Sequence, residues 1–239
     1  MYKQLRTLAI VPARGGSKGI AFKNLKEVGE GSLVGWAGKV IAQLPWIDRA
    51  VVSTDSEEIA AEAEAHGIEA PFRRPESLSG DRIGDWDVLS HALAEMESRD
   101  GCRYDVILML QPTCPFRKAR HVEDAVSLLV EGKFDAVWSV SETDSKAHPR
   151  KQLLIDDASG EMDYYDPSGA EVIARQQLAP LFHRNGAVYA ITRQCLLEQG
   201  SIKGGRCGAL LIEDPLVNID TPLDLEWANF VASREKPVV

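Results

Sequence analysis

The sequence predicts an α/β fold built on a mostly parallel sheet, and two observations carry that reading. Short apolar runs alternate with longer amphipathic segments, the rhythm of βα units. The run Val106-Ile107-Leu108-Met109-Leu110 is apolar throughout, as a central strand covered on both faces requires. The first strand is expected at Thr7–Pro12 and the central one at 106–110, with others near 49–53, 70–73, 134–140, 186–191 and 208–212. Helix starts are readable where Asp55 precedes Ile59 with Glu58 three residues on. Another lies at Thr221-Pro222-Leu223-Asp224, which combines an N-cap, a proline at the first helical position and an acid in the first turn. His66-Gly67 reads as the stop of the helix over roughly 56–66. Between about 141 and 182 the alternation fails, and Asp, Ser, Gly, Pro and Tyr gather around strand-like pieces such as Gln152-Leu153-Leu154-Ile155. That stretch is too short to bury much alone. It is expected to be an inserted arm that packs on another subunit, within a single domain spanning 1–239.

With 44% hydrophobic residues the 239-residue chain can bury a full core. No apolar run approaches a membrane span, and the N-terminus enters a strand rather than a signal peptide, so no membrane partner and a cytoplasmic location are expected. Cys102, Cys114, Cys195 and Cys207 lie far apart without CxxC spacing and read as reduced thiols. A net charge of -9 argues against nucleic acid or an anionic membrane as the main partner.

Against that acidic background, the segment after the first strand is basic. Ala13-Arg14-Gly15-Gly16-Ser17-Lys18-Gly19, then Lys23-Asn24 and Lys26, holds four cations and no acid. Glycines let backbone N–H groups approach phosphate oxygens, and Arg and Lys neutralise their charge, so the loop is suited to a triphosphate at the C-terminal edge of the sheet. The order GGSKG matches neither a Walker A loop nor the GxGxxG dinucleotide fingerprint.

The run Ile10-Val11-Pro12-Ala13-Arg14-Gly15-Gly16-Ser17-Lys18-Gly19 with Lys23-Asn24-Leu25 resembles the N-terminal signature of acylneuraminate cytidylyltransferases, the CMP-sialic acid synthetase family. The resemblance continues through Val52-Ser53-Thr54-Asp55, Arg74-Pro75, Leu78, Asp81 and Leu110-Gln111-Pro112-Thr113-Cys114-Pro115-Phe116-Arg117. It resumes at Arg175-Gln176-Gln177, Asn185-Gly186-Ala187-Val188-Tyr189 and Asn218-Ile219-Asp220-Thr221, and so spans the chain. It implies a Rossmann-like nucleotidyltransferase with a dimerisation arm, a homodimer that joins CMP from CTP to a nine-carbon acidic 2-keto sugar with Mg2+. Arg14, Ser17, Lys18 and Lys23, with the backbone of Ala13, Gly15 and Gly16, would hold the CTP phosphates. Asn24, Arg74 and the region of Asp81 would face the cytidine. Arg14, Lys18 and Asp220 would carry catalysis.

On the sugar side the resemblance places Gln111 and Thr113, then Arg175, Gln177, Asn185 and Tyr189 as the acidic-sugar pocket, an assignment that fits a guanidinium fork for a carboxylate. Lys151 would reach a neighbouring subunit's site, although its flanks match poorly. Two departures stand out: Cys114 replaces the commoner serine, and Asn218-Ile219-Asp220 replaces an Asp-x-Asp metal motif. Asp220 remains a magnesium ligand, while Asn218 has three readings: an amide-oxygen ligand, a holder of a coordinated water, or a backbone partner at the following helix start. No histidine falls in a matched motif, so no histidine base is expected. Legionaminate, pseudaminate and the eight-carbon lipopolysaccharide sugar are alternative acceptors, and a nucleotide-sugar glycosyltransferase is an alternative enzyme.

Overall fold

In chain order the strands of the computed structural model are β1 (Thr7–Pro12), β2 (Glu27–Val28), β3 (Gly31–Ser32), β4 (Arg49–Ser53), β5 (Val106–Met109), β6 (Ala136–Glu142), β7 (Leu153–Ile155), β8 (Met162–Tyr164), β9 (Phe182–Thr192) and β10 (Cys207–Leu211). The helices are α1 (Leu33–Ile41), α2 (Glu57–Ala65), α3 (Asp85–Asp100), α4 (Ala119–Glu131), α5 (Arg193–Leu197) and α6 (Pro222–Arg234). Residues 1–234 are described. They form two units, one comprising Met1–Ser139 and the chain from Asn185 on, the other Val140–Arg184.

The first unit is organised on a six-stranded sheet of order β10-β6-β9-β5-β1-β4. β1 runs parallel to both β4 and β5, with Leu8 opposite Arg49 and Ile107, whereas β9 is antiparallel to β5. Successive residues of one strand point to opposite faces. Ala9 and Val11 of β1 therefore join Val52, Leu108 and residues of α1, α2 and α4 in one buried cluster. Leu8 and Ile10 join Ile107, Met109 and Leu89, Leu93 and Met96 of α3 in another. Helices on both faces are what the unbroken apolar run at 106–110 demands.

Two local expectations are corrected. Residues 70–73 are not a strand: pairing stops at an isolated bridge between Val51 and Glu69, because Pro71 has no N–H to give a ladder. The cap of α2 is Ser56, whose Oγ accepts from the Ile59 amide at 3.4 Å, not Asp55. Asp55 is turned toward the loop after β1. At α6 the start is as read, since Thr221 N–H donates to Asp224 at 2.7 Å and Asp224 N–H donates to the Thr221 hydroxyl at 3.2 Å.

The second unit contains the irregular stretch read at 141–182. β7 and β8 pair as an antiparallel hairpin with Leu153 opposite Tyr164. Gly169 presses on the chain at Arg150, where a Cβ would lie 2.2 Å from the Arg150 carbonyl oxygen. Leu153, Leu154, Ile155 and Met162 are all exposed. Among the described residues no helix is long and apolar enough to cross a membrane.

Candidate functional site

The basic loop leaves the C-terminal end of β1 and is fixed from its neighbour. Ala13 N–H donates to the Ser53 carbonyl at 3.0 Å, prolonging the β1–β4 pairing, and Gly15 N–H donates to Asp55 Oδ1 at 2.8 Å. Arg14 Nη1 lies 2.7 Å from Asp81 Oδ1 and Lys18 Nζ 2.5 Å from Asp81 Oδ2. One carboxylate thus bridges two loop cations, with Gly16, Ser17, Ser79 and Gly80 lining the same shallow cleft. Hydrogen bonds from Lys18 and then Arg14 hold the Asp81 carboxyl below its usual range. Asp81, expected on the nucleotide side, lines this cleft with its oxygens aimed at the loop cations.

Arg74 is 6% exposed, and its Nε and Nη2 are buried without a hydrogen-bond partner. Burial lowers its pKa, Asp55 opposes that shift and Arg14 adds to it. A buried guanidinium with unused donors next to a cationic loop is equipped to take an acceptor from a ligand. Asn24 is also buried, but its Nδ2 donates to the Arg14 carbonyl at 3.0 Å, so this amide braces the loop instead of facing the ligand.

The turn from Gln111 to Arg117 is organised by its last residue. Arg117 is 4% exposed, and its guanidinium donates to three carbonyls: Ala187 at 2.5 Å, Cys114 at 3.3 Å, and Gln111. It ties the turn carrying Gln111 and Thr113 to β9. Cys114 packs with Ala187 and Ile212, and burial pushes its thiol up to about 11, so it offers no hydroxyl-like contact. Gly186 has φ +75, and a Cβ there would lie 2.6 Å from Gln111 Oε1 and 3.6 Å from Asn218 Oδ1. Two amide oxygens therefore converge beside a residue without a side chain.

Two sugar-side candidates are corrected. Asn185 is buried, and its Oδ1 accepts from the Ser139 hydroxyl at 2.6 Å and from Ala187 N–H at 3.1 Å. Tyr189 is 2% exposed and stacks edge-on against Trp138 at 5.6 Å in the core. β9 is covered on both faces from Asn185 to Ile191, so side chains of either parity are buried there.

Val217 and Ile219 are buried while Asn218 and Asp220 are exposed, the two-residue alternation of an extended segment. Ile219 N–H donates to the Thr113 carbonyl at 2.9 Å, and its own carbonyl accepts from Lys23 Nζ at 2.9 Å. Lys23 Nζ is also 2.9 Å from Asp220 Oδ1, and Asn218 Nδ2 is 3.5 Å from Asp220 Oδ2. Gly19 comes so close that a Cβ would lie 2.7 Å from the Asp220 carbonyl oxygen. Thr221 and Asp224 already satisfy the α6 start, which removes the helix-cap reading of Asn218. Among the described residues no three His, Cys, Asp or Glu side chains cluster for a metal. One carboxylate and one amide oxygen nevertheless fit Mg2+, which takes few protein ligands and completes its shell with phosphate oxygens and water.

Arg175, Gln177 and Lys151 lie in the second unit. Arg175 and Gln177 share a 3-10 turn in which Gln177 Oε1 accepts from the amides of Ile173 at 2.7 Å and Ala174 at 2.8 Å, so this oxygen is used locally. Arg175 and Lys151 are exposed. Sequence reasoning passed over Asp55 and Arg117 as site residues. Asp55 had a signal, an acid directly after the strand that neighbours β1; Arg117 had none beyond its place in the turn.

A parallel sheet with a basic glycine loop at the end of its first strand defines a nucleotide-handling α/β protein. The solved CMP:2-keto-3-deoxy-manno-octonic acid synthetase complexed with CTP has this fold, at TM-score 0.69 and 18% identity, over 97% of this chain and 100% of that one. The cytidylyltransferase family model matches residues 8–220, and the chain belongs to that family. It is 31% identical to the CMP-N,N'-diacetyllegionaminic acid synthase of Legionella pneumophila over 94% of both chains. It is 28% identical to an N-acylneuraminate cytidylyltransferase of Escherichia coli over 96% of this chain but only 53% of that protein, so it spans about half the length of that relative.

Proposed function

We propose that this protein transfers CMP from CTP to a nine-carbon acidic 2-keto sugar of the sialic acid type and releases pyrophosphate. The observation that carries the reading is the clustering of Arg14, Lys18 and the buried Arg74, whose Nε and Nη2 have no partner, at the C-terminal end of β1, beside Lys23 and Asp220. The sugar's anomeric hydroxyl attacks the α-phosphorus and gives its proton to solvent, the bond to the oxygen that bridges to the β-phosphorus breaks, and the leaving pyrophosphate takes the electron pair. Arg14, Lys18 and Lys23 neutralise charge on the phosphate oxygens, and Ser17 with the amides of Gly15 and Gly16 orients them. Mg2+, held through Asp220 and Asn218, would supply a Lewis acid for the phosphates and the attacking hydroxyl. Gln111 and Thr113 line the acceptor side, and Arg175 and Gln177 recognise the acid sugar.

The exposed apolar hairpin β7–β8 supports a homodimer in which the second unit is the contact arm and Lys151 serves a neighbouring site. A cytoplasmic location matches a supply of CTP. The near full-length match to a legionaminic acid synthase favours legionaminate as a second acceptor. Pyrophosphate release from CTP, measured across nine-carbon and eight-carbon keto acid sugars with Mg2+, tests both. Release with a nine-carbon acid is expected. Turnover of an intact nucleotide sugar without pyrophosphate, or no turnover with any acid sugar, refutes the assignment.

A further inference from the structure

The cleft bounded by the basic loop and residues 79–81 contains a feature that the transfer chemistry does not use. Each Asp81 oxygen meets a different loop cation, Arg14 at 2.7 Å and Lys18 at 2.5 Å, as two anionic oxygens of a phosphate would. Asp81 stands between Gly80 and Gly84, in a segment whose inner turn is one long hydrogen bond, Ile83 N–H to the Gly80 carbonyl at 3.4 Å. All three side chains are partly or largely exposed. Ion pairs of that exposure contribute little to folding. Their influence falls on whatever else seeks the same two cations.

We propose that Asp81 is an internal competitor for the phosphate cradle, so that a ligand gains Arg14 and Lys18 only in exchange for the Asp81 carboxylate, which reserves the cradle for oligophosphates. This rests on the function proposed above and adds a selectivity element to it. A nucleoside brings no charge, and a single phosphate brings only about one half to one unit more than the carboxylate it displaces. A pyrophosphate unit brings several negative charges and a second set of oxygens, and the exchange then runs in its favour. Gly80, which has open space around it, lets the segment adjust on its N-terminal side, while Gly84 stays fixed as the cap of α3.

The test is calorimetric binding of inorganic pyrophosphate and of inorganic phosphate, without magnesium, to the wild-type protein and to Asp81→Asn, with Asp81→Ser as a second variant. Both variants are expected to bind pyrophosphate about threefold to tenfold more tightly and to discriminate less against inorganic phosphate. Melting temperature checks that the fold is intact. Unchanged or weaker pyrophosphate binding overturns the proposal. So does a rise in the Mg2+ concentration needed for half-maximal turnover in Asp81→Asn, because that would make Asp81 a metal partner. If the wild type binds neither pyrophosphate nor CTP, the cytidylyl-transfer reading falls with it. If the wild type binds both and Asp81→Asn binds identically, only the competitor idea falls.

Discussion

Gly19 is packed directly against backbone, and Gly19→Ala tests whether the basic loop must lie against the 217–220 segment. A Cβ at 19 would sit 2.7 Å from the carbonyl oxygen of Asp220, a backbone atom that has no rotamer to escape into. The two segments would have to separate by about 0.3 Å to reach a tolerable contact and by about 0.7 Å to reach an ordinary one. Overpacking of this kind costs about 2 kcal/mol, or about 4 to 8 °C in Tm for a chain of this size. The separation acts on Lys23 and Asp220 together, so turnover should fall about tenfold to a hundredfold as the phosphate and metal ligands lose register. Thermal unfolding and pyrophosphate release are the two measurements, with Gly16→Ala as the stability control, because nothing lies within 4 Å of a Cβ built there. If Gly19→Ala melts with the wild type and keeps its kcat/KM for CTP, the close approach is incidental and the argument for a shared loop and metal segment fails.

Arg117→Met strips the donors from three carbonyls, a loss only partly offset by no longer burying a charge. Stability in urea should fall by about 2 to 4 kcal/mol, with the KM for the acid sugar rising more than that for CTP; an equally stable variant would contradict the bracing role. Asp214 accepts from Lys118 at 2.7 Å and from His121 at 2.9 Å, which holds its carboxyl down to about 2. A depressed carboxyl stabilises above its unfolded pKa and loses that contribution as pH falls through the folded one. The Tm gap between wild type and Asp214→Asn should therefore be full at neutral pH and close between about pH 4 and pH 2; a gap independent of pH would show that the charge is irrelevant.

What could be read from the sequence was periodicity and punctuation. The unbroken run at 106–110 and the Thr221–Asp224 cap report local physics, and the structure agrees with both. The basic loop was legible because four cations without an acid stand out in an acidic chain. Direction was harder. Whether Asp55 caps α2 or reaches Gly15 depends on a tertiary neighbour forty residues away, and no local pattern separates the two. Asn185 and Tyr189 look like ligand groups by type, yet β9 is covered on both faces there and both side chains are buried. For Asp81 the sequence shows a place beside the nucleotide loop but not that its carboxylate pairs with Arg14 and Lys18.

Ile219 gives the site a mechanical property that no single side chain supplies. Its N–H is held by the turn that carries Thr113, its carbonyl by the lysine of the basic loop, and its own side chain is anchored in the core. The turn that carries Thr113 and the lysine of the basic loop are thus gauged from one shared datum. On the proposed reading, a displacement of Ile219 would carry the acceptor-side turn and the phosphate-side lysine together, so their spacing would change less than their absolute positions. Tolerance at this position accordingly splits by atom, since any residue that fills the hydrophobic socket serves the side chain, whereas proline alone would erase the datum by removing the N–H.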